Sequence, residues 1–172
     1  MSGPGRLASD HHPTLRHVER QAVAIELQHV LVTLVDLALL GKQAHWNVVG
    51  PNFRPTHRFL DELVDRWREA ADQVAERSAA LGGEPDGTAA TVAARTPLAQ
   101  LPRGPLPDHE VVAFFTLALT DAVGEVRARM DPLEDVDAVT ADVLHGVVAG
   151  LEEALWMMRV QLEPAVRRPN GA

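Results

Sequence analysis

Two histidines and three carboxylates in one stretch of the chain are of the types that bind transition-metal ions: His45, His57, Asp61, Asp72 and Glu76. His57 and Asp61 are four residues apart, and so are Asp72 and Glu76. Residues four apart on a helix lie one turn apart on the same face, so the members of each pair can bind at one point. The spacing therefore predicts two halves of a metal site on one helix.

These two halves cannot meet within one chain. Asp61 and Asp72 are 11 residues apart, which on a helix is about 16 Å along the axis. A metal–ligand bond is only about 2 Å long. A second copy of the helix, packed antiparallel about a two-fold axis near Arg66 and Trp67, would join one half from each chain. With His45 folding over from the preceding helix, the spacing predicts an intersubunit site of two imidazoles and three carboxylates.

This mixed nitrogen and oxygen donor set suits Fe(II), Zn(II) or Mn(II) without selecting sharply among them. With this many carboxylate oxygens, two metal ions bridged by one carboxylate can be accommodated, which would give Fe(II) a place to meet an oxidant. Spacing alone leaves a plainer interpretation open. In it, the three carboxylates are solvated helix charges and His57 is a polar residue near a helix end.

Four amphipathic helices are predicted to position these residues, because apolar residues recur at alternating three- and four-residue steps in four segments. The four stripes are Val23, Leu27, Val30, Leu34 and Leu37; Leu60, Leu63, Trp67, Ala70 and Val74; Val112, Phe115, Leu119, Ala122 and Val126; and Leu144, Val148, Leu151, Leu155, Met158 and Leu162. No segment between them alternates with period two over a useful length, so we expect no sheet.

The linkers between these helices are unequal, and this decides the predicted connectivity. Short turns join the first helix to the second and the third to the fourth. A Gly- and Pro-rich stretch over 83–107, with a short helix within 91–101, joins the second to the third. Two antiparallel hairpins with one long crossover are typical of an all-α, ferritin-like four-helix bundle. We expect this bundle over residues 14–164, between flexible tails at 1–13 and 165–172.

Composition and charge exclude several classes of protein. The 172 residues suit one domain, and the absence of cysteine excludes disulfides, thiolate metal sites and cysteine nucleophiles. There is no run of 18 apolar residues, and the first residues lack the apolar core of a secretion signal. We therefore expect no membrane span and a cytoplasmic protein. The formal net charge is −8 and Lys42 is the only lysine; an acidic chain attracts cations and repels nucleic acid.

Several motifs resemble one known family. They are KQAHWN at 42–47, G-x-N-F at 50–53 followed by H-x-x-L-D at 57–61, D-x-x-A-E-R at 72–77, and LGG at 81–83. With these motifs the sequence resembles the Dps family, the DNA-protecting mini-ferritins of starved cells, over residues 15–163. The resemblance implies a homo-oligomer of twelve subunits enclosing a hollow space. It also implies oxidation of Fe(II) to Fe(III), preferentially by hydrogen peroxide with dioxygen as the other oxidant, and storage of ferric mineral inside.

The resemblance also assigns the site residues. His45, His57 and Asp61 fall on the ligands that one subunit of the family supplies. Asp72 and Glu76 fall on those that the adjoining subunit supplies. All five positions keep the family's residue types, in the arrangement that the helix spacing requires. Zinc or manganese are competing occupants of such a site.

Two residues near these ligands are auxiliary candidates. Trp46 follows the ligand His45 and either donates an electron to an escaping radical or simply packs at the dimer contact. Lys42 lies one turn before Trp46 and either forms a salt bridge near the site or is solvated.

Acidic residues near the start of the last helix are candidates for an iron-entry pore. Asp142 matches an acidic position that lines a three-fold pore in related shells. Asp131, Asp135 and Asp137 either assist it or serve as capping and solubilising charges, Asp137 as a cap of the fourth helix. One acidic position of the family is Val139 here, so the pore departs from the family pattern.

Other histidines suggest two rival sites. Two pairs have the spacing of a di-iron site inside one bundle, although the second and third helices offer no matching inward glutamates: Glu26 with His29, and Asp142 with His145. Three histidines near the N-terminus have no paired carboxylates, and we expect no metal site from them: His11, His12 and His17.

DNA binding is put in doubt by the tails. Family members that condense DNA use lysine-rich tails, whereas the N-terminal tail has only Arg6 and the C-terminal tail only Arg167 and Arg168. Twelve chains at −8 each would carry about −96. We expect weak or no DNA binding at neutral pH, and acidification to favour it by charging His11 and His12.

Two functions follow: an iron-oxidising and iron-storing mini-ferritin that protects against oxidative damage, or a structural nucleoid protein whose metal site mainly stabilises the dimer.

Overall fold

Four long helices dominate the computed structural model, which describes residues 15–162. They are α1 (His17–Asn47), α2 (Phe53–Ala80), α4 (Asp108–Met130) and α5 (Ala138–Leu162), with a short α3 (Ala89–Arg95) before α4 and a 3-10 turn (Asp131–Leu133) after it. α1 packs against α2 and α4 against α5, so the long crossover joins two helical hairpins. This confirms the predicted four-helix bundle and a short helix in the crossover, which begins two residues before the predicted segment 91–101. The predicted tails and the outermost residues of the predicted bundle lie outside the described range.

The core lies between the four long helices and is built from the predicted stripes. Every stripe residue is buried except Ala70, which is half-buried, and Leu162, the last residue of α5, which is 45% exposed. Trp67 of α2 stacks on Phe115 of α4, with ring centroids 5.8 Å apart. The aromatic contact therefore links one hairpin to the other.

α1 is apolar because it lies in this core. By length and composition alone it could cross a membrane, since one 18-residue window has a mean hydropathy of 1.8. However, 61% of that window is buried inside the bundle. Core packing therefore accounts for the apolar composition of the helix.

α1 and α2 approach each other closely at Gly41. A Cβ atom at this position would lie 2.5 Å from Val64 Cγ2 and 2.9 Å from Trp67 Cζ3. These distances are well inside van der Waals contact, which is about 3.5–4.0 Å between carbon atoms. Glycine thus permits the approach, and it does so one turn before His45, where α1 meets the start of α2.

The turn between α1 and α2 is tied to the end of the crossover. β1 (Val48–Val49) pairs in parallel with β2 (Leu106–Pro107). The expectation of no sheet is therefore wrong on this point, because strands of two residues are too short to produce a period-two pattern. The pairing connects the first hairpin to the residues that open α4.

An ion pair between the half-buried Arg77 and the buried Asp137 joins the end of α2 to the start of α5. Arg77 donates from Nη2 to Asp137 Oδ2 over 2.6 Å and from Nε to Thr140 Oγ1 over 2.9 Å. Burial raises the pKa of Asp137, but the hydrogen bonds from Thr140 and Arg77 and the charge of Arg77 outweigh it and leave the pKa below its ordinary value. Asp137 directly precedes α5, and its carboxylate accepts hydrogen bonds from Arg77 and Thr140 at the start of that helix.

Candidate metal centre

The last turn of α1 and the second turn of α2 place two histidines side by side. The imidazole rings of His45 and His57 stack with centroids 3.6 Å apart and an interplanar angle of 21°. The ring of Phe53, one turn before His57, lies 5.1 Å from it. His45 is buried, at 8% exposure, and His57 is half-buried. The pair therefore sits at the edge of the bundle rather than free in solvent.

Each imidazole is oriented by the backbone of the other histidine. His45 Nδ1 lies 2.9 Å from the carbonyl oxygen of His57, and His57 Nδ1 lies 2.9 Å from the carbonyl oxygen of His45. A carbonyl oxygen can only accept, so each Nδ1 carries the proton and donates it. In a neutral ring the lone pair is then on Nε2. Both histidines are held in the tautomer that ligates metal through Nε2, with a backbone carbonyl as the outer partner.

Asp61 completes a three-residue group with the histidines. One ligand atom from each of His45, His57 and Asp61 can be chosen so that all lie within 4.8 Å of one another. Asp61 Oδ1 is 3.3 Å from His45 Nδ1, and the Asp61 side chain is 45% exposed. The group combines two nitrogens and a carboxylate and is reachable from solvent, which suits a divalent transition-metal ion.

Lys42 forms the salt bridge that the sequence suggested, and its partner is the predicted ligand Asp61. The hydrogen bond from Lys42 is the main cause that lowers the pKa of the Asp61 carboxyl below its ordinary value. Burial opposes this shift, whereas the positive charge of Lys42 and the electrostatic effect of the two neighbouring imidazoles reinforce it. Asp61 is therefore an anion at neutral pH.

Asp72 and Glu76 stand apart from this group in one chain. Both are exposed on α2, 11 and 15 residues after Asp61. The structure thus brings three of the five predicted ligands together and leaves two on the surface of the same helix. Joining all five at one ion requires a second chain.

Trp46 and Asp142 lie on the surface of the chain. Trp46 is 70% exposed although its neighbour His45 is buried. The Asp142 side chain is 90% exposed, with Oδ1 3.9 Å from His145 Nδ1. His145 Nε2 is 2.9 Å from Glu134 Oε1. The roles of Trp46 in radical chemistry or packing and of Asp142 in a pore stay predictions.

The rival site inside the bundle does not form in the described part of the chain. Glu26 Oε2 is 3.4 Å from Arg129 Nη1, so an arginine rather than a metal-binding partner faces this carboxylate. Within residues 15–162, the group of His45, His57 and Asp61 is the only set of three metal-ligating side chains this close, and it excludes Glu26, His29, Asp142, His145 and His17. His11 and His12 lie outside the described residues.

Sequence reasoning missed two features of this site. The carbonyl oxygens that orient the imidazoles belong to the main chain, so no residue type signals them. The ring of Phe53 beside His57 had a signal, because the two residues are four apart and so share a helix face.

Comparison with known proteins identifies the family of the chain. A family model described as a ferritin-like domain matches residues 25–166. The DNA protection during starvation protein of Mycolicibacterium smegmatis is 38% identical over 155 residues, 89% of this chain and 84% of that protein. The DNA protection during starvation protein 2 of Deinococcus radiodurans is 36% identical over 144 residues, 84% of this chain. The aligned part spans only 60% of that second relative's length.

Solved structures agree in fold as well as in sequence. The structure of Mycobacterium smegmatis Dps matches with a TM-score of 0.87 and 34% identity, covering 93% of this chain and 91% of that one. Dps from Microbacterium arborescens in the high iron form matches with a TM-score of 0.82 and 32% identity, covering 87% and 97%. Taken with the family model and the relatives, these matches show that the chain belongs to the Dps family of ferritin-like proteins.

Proposed function

We propose that this protein is a ferroxidase and iron store that protects the cell from iron and peroxide. Fe(II) is its substrate, oxidised at sites shared between two copies of the chain, and Fe(III) is kept as mineral inside a hollow dodecamer in the cytoplasm. The observation that carries the proposal is the histidine pair, held in the Nε2-ligating tautomer beside the ionised Asp61. The name of one structural relative, a Dps in a high iron form, supports iron as the metal.

The complete site combines residues of two chains. His45, His57 and Asp61 come from one copy, and Asp72 and Glu76 from the other, with α2 packed antiparallel on its copy. The exposure of Asp72 and Glu76 supports this arrangement, since a neighbouring chain can reach both. Zinc and manganese would compete for the same donors.

The chemistry requires two Fe(II) ions for each hydrogen peroxide. Each Fe(II) loses one electron, the O–O bond of the peroxide breaks, and uptake of two protons gives two molecules of water. A site that holds two iron ions delivers both electrons to one peroxide, so no hydroxyl radical is released. The negative carboxylates offset part of the positive charge of the ferric product. Each copy of the chain contributes Asp61 to this. Dioxygen is the alternative oxidant.

The first test is anaerobic titration of the assembled protein with Fe(II), followed by peroxide, with ferric absorbance as the readout. We expect fast oxidation that saturates at about two Fe(II) per site and is lost in the double variant His57→Ala, Asp61→Ala. Asp121→Ala removes an exposed carboxylate of α4 and is the control that keeps wild-type kinetics. Wild-type oxidation no faster than in buffer would refute the ferroxidase.

A mixing experiment tests whether the site is shared between chains. One variant lacks the first half of the ligand set (His57→Ala, Asp61→Ala), and the other lacks the second half (Asp72→Ala, Glu76→Ala). Each alone should be inactive. Co-assembled at equal amounts, they form mixed dimers in which one of two sites is intact, so about one quarter of the sites should recover. No recovery would show that the ligands do not come from two chains.

A second candidate function is that of a structural nucleoid protein whose metal site mainly stabilises the dimer. The relatives' name, DNA protection during starvation, favours it, while the net charge of −8 opposes it. Slow iron oxidation together with DNA retardation at physiological salt would make this function the better one.

A further inference from the structure

We propose that Asp108 is a positioning residue for the histidine pair: its carboxylate fixes the turn that holds His45 against His57, and so keeps both imidazoles in the Nε2-ligating tautomer. The inference rests on one part of the proposed function, namely that these imidazoles ligate metal.

Asp108 is a buried carboxylate that no step of the proposed oxidation uses. It is the first residue of α4 and is 5% exposed. Its Oδ2 accepts a hydrogen bond from the backbone N–H of Asn52, and its Oδ1 accepts one from the backbone N–H of His109 over 2.8 Å. Asn52 directly precedes α2. One carboxylate therefore fixes the first residues of two helices, where a negative charge is favoured by the helix dipoles.

The same carboxylate also determines the shape of the turn at 48–52. Gly50 has φ +126°, and a Cβ atom there would lie 2.8 Å from Asp108 Cγ. The backbone of the turn thus packs directly on the carboxylate, in a conformation that favours glycine. On the other side, Val48 pairs with Leu106 in the β1–β2 ladder. The segment at 106–108 therefore contacts the turn between the two histidines at Val48, Val49, Gly50 and Asn52.

The histidine pair is sensitive to this turn because its two orienting hydrogen bonds cross it. Each Nδ1 donates to the carbonyl of the other histidine over 2.9 Å. A shift of the start of α2 by about 1 Å relative to the end of α1 would lengthen both bonds beyond hydrogen-bond range. Each freed ring can then carry its proton on Nε2, which removes the lone pair needed for ligation.

A purely structural role for Asp108 makes a different prediction, and Asp36 provides the comparison. Asp36 is also 5% exposed and also ties the crossover to the bundle, by accepting hydrogen bonds from Thr96 Oγ1 over 2.5 Å and Gln100 Nε2 over 3.0 Å. It does not contact the turn between the histidines. Removing Asp36 should therefore destabilise the fold without changing the imidazoles.

The test measures binding of Co(II), a metal that air does not readily oxidise, by the visible absorption of the assembled full-length protein. We expect Asp108→Ala to bind Co(II) at least about tenfold more weakly, as is usual when the outer partner of a ligand is lost. Asp108→Asn should be intermediate, since an amide has one acceptor oxygen for two N–H groups. Asp36→Ala should bind Co(II) like the wild type. In parallel, solid-state ¹⁵N NMR should show the assigned rings of His45 and His57 protonated on Nε2 only in the Asp108 variants.

Several results would overturn the inference. These are wild-type Co(II) affinity in Asp108→Ala, an equal loss in Asp36→Ala, unchanged tautomers, or no Co(II) binding by the wild type. If Asp108→Ala does not assemble, the same measurements on Asp108→Asn decide the question. The proposed function is judged separately. If the wild type binds Co(II) but does not oxidise iron, the ferroxidase is refuted and the positioning role stands. If Asp108→Ala oxidises iron and binds Co(II) as the wild type does, the positioning role is refuted and the ferroxidase stands.

Discussion

His45 and His57 depend on each other through their backbones as well as through their rings. The acceptor for each Nδ1 is a main-chain carbonyl, so a side chain at one position can be replaced without removing the acceptor for the other. Ring stacking, at 3.6 Å between centroids, is a separate contribution. Packing and metal ligation can therefore be separated by one substitution.

His57→Phe is that substitution. A phenyl ring can still stack on His45, and the backbone carbonyl still accepts from His45 Nδ1, so we expect the midpoint of thermal unfolding to stay within about 5 °C of the wild type. Co(II) affinity should fall by more than about 100-fold, beyond the usual loss for an outer partner. His145→Phe, at an exposed histidine of α5, is the control and should change neither. Wild-type Co(II) affinity in His57→Phe would remove His57 from the ligand set.

At the scale of the helices, Gly41 sets the distance between α1 and α2. Gly41→Ala would place a methyl group against Val64 and Trp67, which both belong to the core of α2. We expect a loss of about 1–3 kcal/mol in the free energy of unfolding and weaker Co(II) binding, since His45 lies one turn further on. Gly124→Ala in α4, where a Cβ meets nothing within 4 Å, should instead stabilise the helix by about 0.5–1 kcal/mol. Urea unfolding compares the two; equal effects would contradict the close approach.

The Arg77–Asp137 ion pair predicts a pH dependence of stability. The folded-state pKa of Asp137 is lowered, so its stabilising contribution is fully present above the unfolded pKa and is lost as the pH falls through the folded pKa. Asp137→Asn should lower the free energy of unfolding by about 2 kcal/mol at neutral pH. This difference from the wild type should shrink as the pH falls below about 4, the ordinary pKa of an aspartate. Asp135→Asn, at an exposed neighbour, should show no difference; a constant difference for Asp137→Asn at all pH values would contradict the ion pair.

The helices were more predictable than the contacts between them. Apolar periodicity places residues such as Leu27, Leu63 and Phe115 in the core because burial repeats with the helix turn. It fails at Leu162, which has the right phase but is the last residue of α5 and is 45% exposed. The ladder from Val48 to Leu106 was not predictable, since a pairing of two residues joins segments far apart in the chain.

The candidate metal site likewise has features that the sequence predicts and features that it does not. Helical spacing predicts that His57 and Asp61 share a face and that Asp72 and Glu76 are too distant to join them in one chain. The tautomers of the histidines could not be predicted, because they depend on carbonyl oxygens whose positions follow from the turn. For the same reason, no pattern in the sequence indicates that Asp108, 51 residues after His57, contacts that turn.

For the whole molecule, the negative net charge opposes binding of nucleic acid. A dodecamer of 18.7 kDa chains, about 224 kDa, would carry about −96. We expect this mass by light scattering, and no retardation of DNA in gels at neutral pH and physiological salt. Any binding at low salt should weaken in the variant Arg6→Gln, Arg167→Gln, Arg168→Gln, because these arginines are the cations of the tails. Retardation at physiological salt, unchanged in this variant, would contradict the expectation.

The single lysine of the chain makes the site chemically addressable. Apart from a terminal amine, Lys42 is the only primary amine in the sequence, and its Nζ is paired with Asp61. An acylating reagent therefore labels one side chain, at a rate that depends on that ion pair. We expect faster acylation in Asp61→Asn than in the wild type, measured by peptide mass spectrometry; equal rates would show that the pair does not shield the amine. The extent of acylation would then report the state of the site in unfractionated samples, without spectroscopy and without added metal.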